Sequence, residues 1–296
     1  MRVLFAMVLL VTVGLASAPP VGIDARPDAV PPPVVVVSRY DQARTGVATD
    51  VGDITAPAIL WSFQTNGTVA TSPLAADLDG DGTLEIIFGE FKPDDAQDGS
   101  RLAYVLDNDR SVRYTVPMRY NSVVSAIADL DGDGRPEVVF SEGSHWEVTG
   151  DLGYRVVRGS DGSPFWSMTT SSSPGEGFFA SPALTDVDGD GGLDLIAGAM
   201  DDTVYALRGT DGSVLWSVPQ IGHYVRHSTP MADFTGDGRP DVTVQTEAGV
   251  ALAYDAAAGL QEWLVDLGDI VAATPAIGDL DGDGRPEIVY SLVEDG

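Results

Sequence analysis

DLDGDGRPEIVY at residues 279–290 and DLDGDGRPEVVF at residues 129–140 are almost one phrase written twice. Each copy places acids at its first, third, fifth and ninth positions, sets glycines at the fourth and sixth, and runs directly into β-branched residues. Three further copies, DLDGDGTLE from Asp77, DVDGDGGLD from Asp186 and DFTGDGRPD from Asp233, bring the total to five, at steps of 52, 57, 47 and 46 residues. A short small-and-apolar run stands ahead of the loops, as in SPLAA (72–76), SPALT (181–185) and TPAIG (274–278). The acidic phrase therefore joins two strands.

A second signal keeps phase with the first. Trp61, Trp166, Trp216 and Trp263 precede the next loop by 16, 20, 17 and 16 residues, and Tyr114 holds the matching place 15 residues before Asp129. Turn phrases lead into the tryptophans, as in RGSDGSPFW (158–166) and RGTDGSVLW (208–216), and alternating runs such as LAYVL (102–106) or VYALR (204–208) lead into the turns. One unit reads strand, acidic loop, strand, loop, strand, DG turn, strand. Four antiparallel strands at a period near 50 residues predict an all-β chain of β-propeller blades, with about five blades represented. The tryptophans fit packing between neighbouring blades better than an exposed stacking platform.

The loop chemistry points to a hard cation. Four carboxylates within nine residues repel one another unless a cation sits among them, and oxygen donors without histidine or cysteine favour Ca2+ over zinc. The glycines permit the left-handed backbone that folds the acids inward, and the seventh residue offers its backbone carbonyl. The predicted ligand sets are Asp77, Asp79, Asp81, Thr83 and Glu85 in loop 77–85; Asp129, Asp131, Asp133, Arg135 and Glu137 in loop 129–137; and Asp186, Asp188, Asp190, Gly192 and Asp194 in loop 186–194. The last two are Asp233, Thr235, Asp237, Arg239 and Asp241 in loop 233–241, and Asp279, Asp281, Asp283, Arg285 and Glu287 in loop 279–287. Thr235 replaces an aspartate, so the fourth loop is expected to bind more weakly. An EF-hand begins alike but needs a glutamate at the twelfth place, where this chain has Phe88, Phe140, Ala197, Val244 and Tyr290. A metal-free DG turn is the other alternative, and it is strongest for the Asp233 loop.

Composition bounds the rest. The net charge of −29 and the single lysine, Lys92, argue against nucleic acid and anionic membrane as partners. Residues 1–18 have the layout of a secretory signal peptide, with Arg2, an apolar run and Ala16-Ser17-Ala18. The run is too short to serve as a membrane span, and none is expected in the mature chain. Residues 19–37 read as a Pro-rich linker and 38–296 as the propeller domain. The absence of cysteine leaves no disulfide or thiolate chemistry.

These residues carry a resemblance. The acidic loops resemble the calcium loops of FG-GAP and VCBS repeats, the propeller repeats also found in integrin α subunits. The tryptophan-bearing strands and the phrase YDQARTGVATDVGDITAPAILWSFQTNG (40–67) are similar to quinoprotein-like, or PQQ-like, propellers. The resemblance implies a secreted or cell-surface protein with structural calcium, acting as a non-catalytic binding or adhesion module on an extracellular protein or glycan. Two alternatives stand beside it. One is the propeller portion of an exported enzyme, either a PQQ-dependent dehydrogenase or a polysaccharide lyase; the other is an envelope assembly scaffold whose sheet edges take up peptides.

Alternation of loops in an up-and-down blade puts the acidic loops and DG turns at one end. The remaining loops carry Lys92, Arg119, Tyr120, His145, Trp146, Phe178, Phe179, His223, Tyr224, Arg226 and His227 at the other end. Aromatic residues mixed with cations suit an anionic sugar or a protein ligand. The last blade lacks its outer strands within 296 residues, and AILWSF (58–63) reads as the final strand of an earlier blade. A fragment of a six- to eight-bladed propeller, with unpaired edges at 58–63 and 286–292, is therefore expected.

Overall fold

The structure is a computed structural model that describes residues 8–11, 35–37, 61–69, 72–90, 101–118, 122–143, 152–170, 177–178, 180–219, 221, 223–271 and 273–293. Strands β1 (Val8–Val11) and β2 (Val35–Val37) come first. Then follow β3 (Leu74–Ala76), β4 (Glu85–Gly89), β5 (Arg101–Leu106) and β6 (Val112–Met118), paired in that order as one antiparallel sheet. The second sheet has β7 (Ser122–Ala128), β8 (Glu137–Glu142), β9 (Gly153–Arg158) and β10 (Pro164–Thr169), with β2 added beside β7. β11 (Ala183–Thr185), β12 (Asp194–Gly198), β13 (Thr203–Leu207) and β14 (Val214–Pro219) form the third. β15 (Met231–Ala232), β16 (Asp241–Gln245), β17 (Val250–Asp255) and β18 (Gln261–Asp266) form the fourth. In the last, β19 (Ile270–Val271) and β20 (Ala276–Gly278) lie along one side of β21 (Glu287–Val293) and β1 along the other.

Burial within each sheet explains the order. The second and third strands of a blade are buried on both faces, so β8, β12, β13 and β16 are buried throughout, as continuous apolar or β-branched runs require. The fourth strands β10, β14 and β18 alternate between exposed and half-buried residues, which marks them as the outer strands. Sheets pack face to face in chain order. Ile87 and Val105 of the first join Val138 and Phe140 of the second; Val139 and Val156 join Leu195 and Leu207; Ile196 and Val204 join Val242 and Leu252; and Ala251 joins Ile288 and Tyr290. Successive four-stranded meanders stacked through their faces are propeller blades.

The tryptophans lock one blade to the next. Trp166 on β10 donates its Nε1–H to the Gly209 carbonyl at 2.6 Å, and Trp216 on β14 does the same to Ala256 at 3.0 Å. Tyr114 fills the equivalent place on β6 through a hydroxyl bond to the Gly159 carbonyl at 2.8 Å. All three acceptors belong to the following blade's turn.

In the full chain the edge expected at 286–292 is covered: Leu9 pairs with Tyr290 and Leu10 with Val289, so β21 has neighbours on both sides. Those partners lie within residues 1–18, and a chain cleaved after that stretch would lose them. Apolar, β-prone residues such as Val8–Val11 satisfy an open row of N–H and C=O groups readily. Residues 61–63 form no strand, and 58–60 lie outside the described residues.

Candidate metal centres

Each acidic loop joins the first two strands of its blade, and all five fold alike. The leading aspartate caps two backbone amides: Asp77 accepts from Gly80 and Gly82 at 2.7 and 2.9 Å, Asp129 from Gly132 and Gly134 at 2.9 Å each, and Asp186 from Gly189 and Gly191 at 2.8 and 2.9 Å. Asp233 and Asp279 repeat this with Gly236, Gly238, Gly282 and Gly284. Those ten glycines have φ between +74° and +90°, the left-handed region the sequence pattern requires.

The ninth acid reaches back into the loop. Glu85, Glu137, Asp194, Asp241 and Glu287 accept the N–H of Leu78, Leu130, Val187, Phe234 and Leu280 at 2.8, 2.9, 3.0, 2.9 and 2.7 Å. All five are buried. Burial pushes the Glu137 carboxyl up to about 7, against the opposing pull of the Leu130 amide. It also raises Glu85, Asp194 and Asp241 above the ordinary carboxylate range. Burial of this kind favours the neutral acid, and a cation at the carboxylate would favour the charged form instead.

In the first three loops the first, third and ninth acids present oxygens within 4.8 Å of one another: Asp77, Asp79 and Glu85; Asp129, Asp131 and Glu137; Asp186, Asp188 and Asp194. In the fifth loop it is the first, third and fifth acids that converge, Asp279, Asp281 and Asp283, all three exposed. The donor set is all carboxylate oxygen, which fits a calcium ion. In the fourth loop Asp241 gathers instead with Asp255 of β17 and Glu262 of β18. These two acids were missed in the sequence because they lie outside the repeated phrase.

The sequence reading also missed three arginines. Arg158 follows the last residue of the β9 ladder with β10, and its Nη1 lies 3.2, 3.6 and 3.5 Å from Asp131, Asp133 and Glu137. Arg208 holds the same place in the third blade, at 2.6 Å from Asp188 and 3.3 Å from Asp190. In the first blade Arg113 comes from the neighbouring strand β6, pairs with Asp79 at 2.6 Å and also bonds Asp107. Both arginines of the DG-turn type open the quoted RG(S/T)DG phrases, which was the available signal.

Lys92, Arg119, Tyr120, His145, Trp146 and Phe179 lie outside the described residues. Phe178 is fully buried, stacked on Tyr154 with ring centroids 4.1 Å apart, so its ring serves the core and is withdrawn as a ligand contact. His223, Tyr224 and Arg226 do come together. Arg226 pairs with Glu247 at 3.0 Å, His223 Nδ1 lies 3.8 Å from the same carboxylate, and His223 meets Tyr224 edge-on at 4.3 Å. His227 turns inward to the Val271 carbonyl at 3.0 Å.

The repeat geometry has a family match: the FG-GAP-like repeat matches residues 129–197, 186–244 and 233–290, each span running from one acidic loop past the start of the next. The chain belongs to the FG-GAP-like repeat family. Among solved structures it is similar to the V. cholerae biofilm matrix protein Bap1, at 24% identity and a TM-score of 0.54, over 76% of this chain and 35% of that one. It is also similar to BamB from Moraxella catarrhalis, at 14% identity and a TM-score of 0.46, over 75% of this chain and 61% of that one. This FG-GAP-like chain thus spans about a third of the length of Bap1. No curated protein sequence matches it.

Proposed function

We propose that this FG-GAP-like chain is a secreted or cell-surface, calcium-binding propeller module that binds an extracellular protein or glycan without catalysing a reaction. One observation carries the calcium part: five loops repeat a single cage, in which the first acid caps two glycine amides and a buried ninth acid closes the loop. Each cage collects more negative charge than its backbone bonds can balance, and a divalent ion supplies the rest. The role of the metal is then structural. It fixes the turn between the two inner strands of each blade and leaves the loops at the opposite end to meet a ligand.

The export part rests on the layout of residues 1–18, and the binding part on the cluster of His223, Tyr224 and Arg226 at the end remote from the metal loops. Bap1 is a biofilm matrix protein, and the proposal puts this chain in a comparable extracellular setting. The purified chain, screened on arrays of anionic glycans and envelope proteins with calcium and with EDTA, tests the whole reading. Capture that needs calcium and falls in an Arg226→Ala variant supports it. Capture indifferent to calcium, or turnover of an arrayed glycan, overturns it.

A further inference from the structure

Three arginines lie among the acids of the first three loops. In the second blade the Nη1 of Arg158 lies within 3.6 Å of three of the four acids of its loop, those at the third, fifth and ninth places. Arg208 meets the third- and fifth-place acids of its loop, and Arg113 meets the third-place acid and approaches the ninth, at 3.9 Å from Glu85. Two different chain positions therefore deliver one guanidinium to one spot. Arg158 ends the third strand of its blade and Arg208 directly follows the third strand of its own, whereas Arg113 precedes the aromatic residue of the fourth. In the first blade the third-strand position is Asp107, and Arg113 bonds that acid as well.

The fourth blade reverses both positions. Asp255 stands where Arg158 and Arg208 stand, and Glu262 stands where Arg113 stands, by register with Trp263. Among the described residues no arginine from another strand reaches that loop. Its own Arg239 is exposed and pairs only with Asp237.

Resting on the calcium reading above, we propose that Arg113, Arg158 and Arg208 are affinity-setting residues: resident cations that offset part of the negative charge of the first three loops without metal, and that calcium must displace. A guanidinium and a divalent ion sharing carboxylates a few ångströms apart repel each other, with water screening part of the repulsion at these partly exposed sites. Each arginine thus does two opposed things. It keeps the empty loop folded by offsetting carboxylate repulsion, and it weakens the loop's hold on calcium. The fourth loop lacks this substitute and depends on an added ion, with Asp255 and Glu262 supplying carboxylate in place of the aspartate that Thr235 lacks.

The test replaces Arg158 or Arg208 by methionine in the full chain, which keeps the apolar stem and removes the charge. Calorimetric calcium titration should show the corresponding loop binding about tenfold more tightly, and the melting midpoint in EDTA should fall by about 2 °C. Calcium affinity equal to or weaker than that of the parent protein overturns the proposal and leaves the calcium reading intact. If neither parent nor variant takes up calcium, the calcium reading fails and the proposal falls with it. Should the variants not fold, arginine side-chain NMR of the parent protein decides: Nε–H signals of Arg158 and Arg208 that move on calcium addition support displacement, and calcium uptake that leaves them in place overturns it.

Discussion

Trp216 lies across Gly259 of the next blade and donates its Nε1–H to the Ala256 carbonyl at 3.0 Å. The contact joins two adjacent sheets through the outer edge, where β14 is otherwise half exposed. Trp216→Phe keeps most of the ring area but loses the donor, and the buried carbonyl loses a partner. Urea unfolding should show a loss of about 1–2 kcal/mol, with the calcium affinity of the loops unchanged.

Gly212 is the counterpart of Gly259 under Trp166. Its φ is +72°, and a Cβ there would sit 2.5 Å from the indole Cε3. Gly212→Ala combines a left-handed conformation that L-residues avoid with a steric clash, and should cost about 2 kcal/mol or more in the same assay. Gly191→Ala, inside an acidic loop with open space around it, carries only the conformational cost.

Glu137 gives a variant whose two effects have opposite signs. Burial raises its carboxyl to about 7, so above that pH the metal-free fold holds a charge that it disfavours. Glu137→Gln keeps an acceptor for the Leu130 amide and removes the charge. Calorimetry should show one calcium site lost, while the metal-free unfolding free energy at pH 8 rises by on the order of 1 kcal/mol.

His227 carries a pH signature in a different place. Burial lowers its pKa below the ordinary 6.5, with Arg226 adding to the shift while the Val271 carbonyl and Glu247 oppose it. The unfolded chain therefore binds the proton first. The contribution is complete above pH 6.5 and is lost as the pH falls through the lowered folded value. The difference in urea midpoint between the parent protein and His227→Gln should shrink as the pH drops from 7 to 5.

Thr235→Asp restores the third-place acid of the fourth loop. Calcium titration should show tighter binding at that loop, because carboxylate count sets affinity in oxygen-ligand sites. Titration indistinguishable from the parent protein counts against that ligand count.

Much of this was legible in the sequence because its signals are local. The phase between Trp166 and Asp186, or Trp216 and Asp233, gives both strand order and blade period, and the glycine pattern of DGDG dictates the left-handed loop. What escaped was decided across strands. Arg113 and Arg158 reach the same kind of loop from different chain positions, so no repeat alignment pairs them with their acids. Asp255 and Glu262 look like ordinary surface acids until the β17–β18 hairpin brings them to Asp241. Phe178 sits in a loop segment, yet it is buried against Tyr154 from the neighbouring blade. Pairing of Val8–Val11 with β21 depends on an edge at the far end of the chain, which no local pattern reveals.

The central claim is that calcium holds the five loops, and thermal melting of the purified chain in EDTA, then with excess calcium and separately with excess magnesium, tests it most directly. The account predicts a midpoint that rises with calcium concentration, reverses on chelation and responds less to magnesium, which prefers a smaller, more rigid and more hydrated site. A midpoint that is the same in EDTA and in calcium would contradict it.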